Sequence, residues 1–198
     1  MKNTTGAGGF MNKNTVTTIG IVIVIAVIFV GIFISQYNKA IRMNEAVDAQ
    51  WAQVENQLKR RFDLIPNLVE TVKGFAAQEK EIFLGVAEAR KAYFSAQTVG
   101  EKAQAASGLE GALSRLLLLQ ERYPQLKSNE NFLKLQDSLE GTENRIAVER
   151  KRYNDQVRVL NTYVKTFPGR FFASWAGVGE ARYFEVPETE QEVPKVTF

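Results

Sequence analysis

Hydrophobic and polar positions divide this chain into two unlike parts. From Val16 to Ile34 the residues are V-T-T-I-G-I-V-I-V-I-A-V-I-F-V-G-I-F-I, with no charge among them. At the helical rise this run spans about 29 Å, the thickness of a bilayer's hydrocarbon core. It predicts a single transmembrane helix. A cleaved signal peptide would be shorter and end at a small-residue cleavage site, and Ser35-Gln36-Tyr37-Asn38 offers none. A lipoprotein would need a cysteine after the run, and the chain has none.

Past Tyr37 the pattern changes to apolar residues spaced three and four apart. Tyr37, Ala40, Asn44, Val47, Trp51, Val54 and Leu58 form a coiled-coil-like seam with one polar member, Asn44. The span therefore runs into the first helix of the remainder without a break. Asp63 and Pro66 predict a new helix there, Asp63 as its cap and Pro66 in its first turn, continuing from about Leu64 to Ala96. Thr98-Val99-Gly100 is the next turn. A third helix follows from about Glu101 to Arg122, stopped by Tyr123-Pro124. A fourth starts near Asn129 or Asn131 and keeps its stripe from Phe132 through Leu139, Ile146, Tyr153 and Leu160 to Val164, ending at Phe167-Pro168-Gly169.

Strand patterns are nearly absent and the connections are short. The predicted fold is all-α: a transmembrane helix, then an antiparallel up-down bundle of about four helices over 37–168. Residues 1–15 read as a disordered tail and 185–198 as a mobile acidic tail. The aromatic-rich segment 169–184 either packs on the bundle or lies at headgroup level.

Composition mainly removes possibilities. The chain has 198 residues, a net charge of +3, and neither cysteine nor histidine. Disulfides, Cys/His zinc sites, thiol nucleophiles and Ser-His-Asp triads are excluded. No phosphate-loop or dinucleotide motif appears, so neither cofactor, metal nor catalytic residue is assigned, and no nucleic-acid partner is expected. A hydrolase built on paired carboxylates is the remaining enzymatic alternative.

Five charged residues stand out. Lys59, Arg60 and Arg61 form a basic cluster at the predicted end of helix one, suited to a helix C-terminus or to an anionic partner such as a lipid headgroup. Glu143 and Arg150 occupy seam positions of helix four, where polar residues fix register. If helices one and four lie antiparallel with Val164 level with Tyr37, Glu143 falls at the depth of Lys59–Arg61 and pairs with one of them. Val196-Thr197-Phe198 is a candidate tail motif for strand addition to a peptide groove.

Several segments carry a resemblance. They are Tyr37-Asn38, K59-R-R-F-D-L-I-P-N-L-V-E-T-V-K-G-F-A76, Tyr123-Pro124-Gln125-Leu126-Lys127, Gly141-Thr142-Glu143-Asn144-Arg145-Ile146-Ala147, Arg150-Lys151-Arg152-Tyr153-Asn154 and Tyr183-Phe184-Glu185. With them the chain resembles the LemA family over about residues 37–185. The resemblance implies an N-terminal transmembrane helix and an antiparallel helical bundle, and no defined activity. The expectation is a non-enzymatic scaffold at the bacterial cytoplasmic membrane. It contacts lipid through its anchor, and an unidentified protein or a homo-oligomeric copy through its bundle. A lipid-binding module is the alternative. Lys39 and Arg42 after the span, against Lys2 and Lys13 before it, favour a cytoplasmic bundle.

Overall fold

The computed structural model describes residues 13–185, so the predicted tails and the Val196-Thr197-Phe198 motif lie wholly or largely outside the described residues. Among the described residues seven helices follow in order: α1 Lys13–Ala76, α2 Lys80–Ser95, α3 Val99–Leu117, α4 Leu119–Arg122, α5 Pro124–Lys127, α6 Glu130–Lys165 and α7 Gly169–Trp175. The same residues contain no strand.

α1 is a single 64-residue helix, about 96 Å long at the helical rise. Its first part is the apolar run. The most apolar window there has a mean hydropathy of 3.0, and none of it is covered by the rest of the chain. A core helix of that hydropathy would be buried, so the bare apolar surface makes this stretch a candidate membrane span.

The second part of α1 lies along α6. As α1 advances, its partner on α6 recedes: Gln36 meets Tyr163, Trp51 meets Tyr153, and Arg61 meets Glu143. The two helices are therefore antiparallel. α2 and α3 form a hairpin over the distal half of this pair, with Phe62 stacked on Tyr93 and Lys102 paired with Glu55. One core runs through all four, built on Val54, Leu58, Phe62, Leu109, Leu116, Phe132, Tyr153 and Leu160.

Local chemistry explains the joints. Thr98 accepts a bond from Glu101 N at 3.2 Å while the Glu101 carboxylate accepts from Thr98 N at 3.0 Å, a reciprocal capping box that starts α3. The backbone N–H of Gln97, and then that of Thr98, hold the Glu101 carboxyl below its usual range. Asn129 caps α6 by accepting from Phe132 N at 2.9 Å. At the far end, the Tyr123 hydroxyl donates to Glu79 at 3.0 Å and Arg122 pairs with the same carboxylate at 3.1 Å. This ties the α1–α2 turn to the α4–α5 junction.

One expectation is corrected. No helix starts at Asp63; Asp63 is exposed inside α1 and Pro66 is an interior residue of it. The chain reverses only at Ala77-Gln78-Glu79. An interior proline loses one backbone bond and costs about 3 kcal/mol. Against that, the stripe continues across it without a register change: Leu58, Phe62, Ile65, Leu68, Val72 and Ala76 are all buried, while Pro66 faces outward. Each large apolar side chain buried contributes about 1.5–3 kcal/mol, so the stripe outweighs the proline.

Replacing Pro66 with alanine is therefore expected to stabilise the fold by about 1–3 kcal/mol, because it restores the missing donor. Asp63→Ala is expected to be nearly neutral, as for other exposed helical positions. Chemical denaturation of the two variants checks both. A destabilised Pro66→Ala protein would mean that α1 is broken at this point.

Candidate functional site

The predicted polar residues separate in the structure. Arg61 is the one member of the basic cluster that turns inward, with its residue 7% exposed; Lys59 and Arg60 face solvent. Its Nη1 donates to Glu143, and a second carboxylate, Glu110 of α3, lies 3.4 Å from the same nitrogen. One guanidinium thus joins α1, α3 and α6. Arg150 does not join this layer. It lies two turns further along α6, half-buried, with its guanidinium 6.0 Å from the centre of the Phe184 ring. Glu110 lacked a sequence signal, since it sits beside the leucine stripe of α3 and only the hairpin's placement brings it to Arg61.

Around this layer is a surface cleft of about 420 Å³, lined by Arg61, Glu110, Gln136, Leu139, Glu140 and Glu143. Of its three carboxylates, Glu110 and Glu143 face Arg61 Nη1, which lies between the helices that carry them. The arrangement is an ion-pair layer holding three helices in register. Among the described residues there is no group of three metal-ligating side chains.

The height of the basic cluster also matters. Arg61 lies about 40 Å beyond Ile34 along the unbroken α1, counting the helical rise. Lys59 and Arg60 therefore sit far above any headgroup layer flanking the span, which is only about 5–8 Å deep on each side. With the apolar run as the span, that distance sets the cluster apart from the headgroups of the same bilayer.

The second arrangement went unseen in the sequence. After α7 the chain turns at Gly177, whose φ of 69° lies in the left-handed region that glycine favours. It then returns along α6 as an extended strap. Asn161 holds Ala181 at both backbone groups, Nδ2 donating to its carbonyl and Oδ1 accepting from its N–H, each at 2.9 Å. Asn154 does the same for Phe184, at 3.0 and 2.9 Å. Seven helical residues rise about 10.5 Å, and three extended residues cover about 10 Å, so both side chains fit one antiparallel strap.

Between the clamps, the Tyr153 hydroxyl donates to Arg182 O at 2.8 Å. Phe184 is 4% exposed and packs on Trp51, with ring centres 5.9 Å apart. The Arg150-to-Asn154 and Tyr183-Phe184-Glu185 segments of the sequence thus meet, and Trp51 of α1 lies beneath them. Burial, and then the Asp48 carboxylate, push the Tyr153 phenol up to about 12. Burial, and then Glu55, do the same for Tyr93.

The third arrangement is where α7 meets α1. Phe33, near the end of the apolar run, has its ring 5.6 Å from Phe172 and 5.5 Å from Trp175. Gly169 is required at the start of α7, because a Cβ there would stand 2.8 Å from Cδ2 of Tyr163. Tyr163 in turn donates its hydroxyl to Gln36 O at 3.1 Å.

Two outcomes follow from the polar contacts. Glu143→Gln and Glu110→Gln should each cost about 1–2 kcal/mol, since the other carboxylate still faces Arg61. The double variant should lose more than the sum, toward the 3–5 kcal/mol of a stranded buried charge, and a denaturation cycle measures the excess. The strap is tested by Asn154→Ala, expected to cost about 1–3 kcal/mol for two backbone bonds. The phenols add a pH signature. Their folded values lie above the ordinary 10, so their stabilising contribution is complete below pH 10 and is lost as pH rises from 10 to about 12. Phenolate absorbance should show Tyr93 and Tyr153 titrating last, together with alkaline unfolding.

Comparison with known proteins agrees with this architecture. The model of the LemA family matches residues 50–198. Magnetosome proteins MamQ 2 and MamQ 1 of Paramagnetospirillum magneticum (strain AMB-1) are each 25% identical over 202 residues, covering 88% of this chain and 74% of theirs. Magnetosome protein MamQ of Magnetospirillum gryphiswaldense is 26% identical over 184 residues, covering 80% and 68%.

Proposed function

Because the chain belongs to the LemA family, we propose that it acts as a non-enzymatic scaffold, holding a rigid helical surface at a fixed height above a membrane. The observation that carries this reading is the continuity of α1. One helix is bare and apolar at its start and is the central wall of the bundle at its end. A hinge at the membrane exit would let the bundle swing. Here Gln36 and Lys39 are engaged by Tyr163, by hydrogen bond and by a cation 5.2 Å from the ring centre.

The chemistry on the surface fits recognition better than turnover. Arg61 is engaged in a register contact between helices, and Asn154 and Asn161 in clamping the strap. The bundle leaves large apolar side chains exposed, Leu84 at 63% and Phe94 at 54% on α2 and Leu118 at 62% at the α3–α4 joint. Such side chains are available to a protein partner or a second copy of the chain. Anchoring confines both parties to the membrane, so modest contacts suffice for association. Lys39 and Arg42 support a cytoplasmic bundle on a single-pass protein of the bacterial inner membrane.

Photo-crosslinking from positions 84, 94 and 118 in intact membranes tests the scaffold. Discrete adducts are expected, and size measurement of the detergent-solubilised protein across concentrations identifies those between copies. A strictly monomeric protein with no adduct at any of the three positions would remove the reading. Topology is read separately. The chain has no cysteine, so Lys151→Cys creates a unique thiol on the exposed face of α6. A membrane-impermeant maleimide should label it only after the cells are opened.

A further inference from the structure

We propose that α7 is a second membrane contact, an aromatic stripe seated in the headgroup–acyl boundary of the same bilayer that α1 crosses. The proposal rests on the span at Val16–Ile34 and is independent of the scaffold reading.

α7 is built inside out for a helix facing water. Its small residues, Gly169 and Ala173, are buried, and Phe172 is half-buried. Its large residues point away: Phe171 is 60% exposed and Trp175 73%, and Phe167, just before the helix, is 83% exposed. These three are spaced four apart, and the Phe167 and Phe171 rings meet edge-on at 5.9 Å. Phe171 and Trp175, four apart in α7, share one helix face, and the Phe167 ring joins them through its contact with Phe171, so the three form one outward stripe. Left in water, a stripe of this kind forgoes about 1.5–3 kcal/mol of burial for each large side chain.

Position identifies what covers it. Trp175 and Phe172 touch Phe33, which is one residue inside the end of the apolar run. With the run filling the hydrocarbon core, Phe33 lies at the core's edge. The stripe is thus continuous with the bare apolar surface of α1, where Phe29 is 71% and Ile32 51% exposed. A protein seated on the stripe would also have to displace lipid from the last turns of the span. Tryptophan and phenylalanine are favoured at this depth, where an amphipathic element buries its apolar face about 5–10 Å into the boundary. Charge agrees. Lys39 is about 9 Å beyond Phe33 along α1, at headgroup height, and Arg170 on α7 is exposed beside the Lys165–Glu180 ion pair.

Trp51 and Trp175 are the two tryptophans of the chain, which makes depth measurable. The full-length Trp51→Phe protein is reconstituted into phosphatidylcholine–phosphatidylglycerol vesicles, with a fraction of the lipid brominated near the headgroup end of the acyl chain. Trp175 emission should be blue-shifted, lose most of its intensity to the brominated lipid, and resist aqueous iodide. The Trp175→Phe protein reports Trp51 in the bundle and should be insensitive to the brominated lipid. If Trp51→Phe fails to fold by circular dichroism, an environment-sensitive dye on Trp175→Cys gives the same reading with Trp51 intact.

For protein that resists alkaline extraction, quenching by iodide and not by bromine would put the stripe in water and overturn the proposal. Protection from both quenchers would mean that a second copy or another protein covers it, and would overturn it equally. Protein stripped by alkali would refute the span itself, and the proposal with it.

Discussion

Along α1, apolar side chains at Ala40, Val47, Val54, Leu58, Phe62, Ile65, Leu68 and Val72 form a stripe that keeps its phase from the membrane exit to the distal end. Burying this stripe against α6 and the α2–α3 hairpin is the constraint on which the other features depend. It holds the helix together across Pro66, where backbone chemistry alone favours a break. It also sets the height of every other element, because α6 is aligned against it turn by turn. A bundle whose wall is the continuation of its own anchor has no free joint between the two.

The polar contacts refine what the apolar stripe establishes. Apolar seams tolerate slippage, whereas a guanidinium shared by two carboxylates from different helices fits one register only. The buried member is Arg61, and its two carboxylates keep access to solvent at 36% and 40% of their side-chain area. That geometry keeps the layer inexpensive in desolvation while making the loss of both carboxylates severe. The asparagine clamps work at the next level. Each side-chain amide supplies one donor and one acceptor, and so pairs with both backbone groups of one residue in an extended strap. A helix has no free backbone edge to offer such a segment, and Asn154 and Asn161 supply one.

Function follows from the contrast between the two ends. The distal end is closed by small helices and by Tyr123 on Glu79. The membrane end gathers Phe33, Tyr163, Gly169 and α7 into one contact between the apolar start of α1 and the bundle. On the scaffold role proposed above, this shape fixes where a surface stands relative to a membrane.

Much of this was legible in the sequence because it follows from short-range patterning. The charge-free run gave the bare apolar start of α1, a candidate span, and 3-4 spacing gave the buried faces of α1 and α6 and put Glu143 and Arg150 on the seam of α6. The resemblance of its motif segments to the LemA family gave the bundle. Asp63 and Pro66 misled, because capping and proline rules describe the local backbone, and here the continuing stripe decided the outcome. Tertiary structure alone decided which of three adjacent basic residues turns inward, that Glu110 completes the ion-pair layer, and that Arg150 covers Phe184. It alone laid the strap on α6 and set α7 against Phe33. Such contacts join residues far apart in the chain, and no spacing within one segment encodes the distance between two helices.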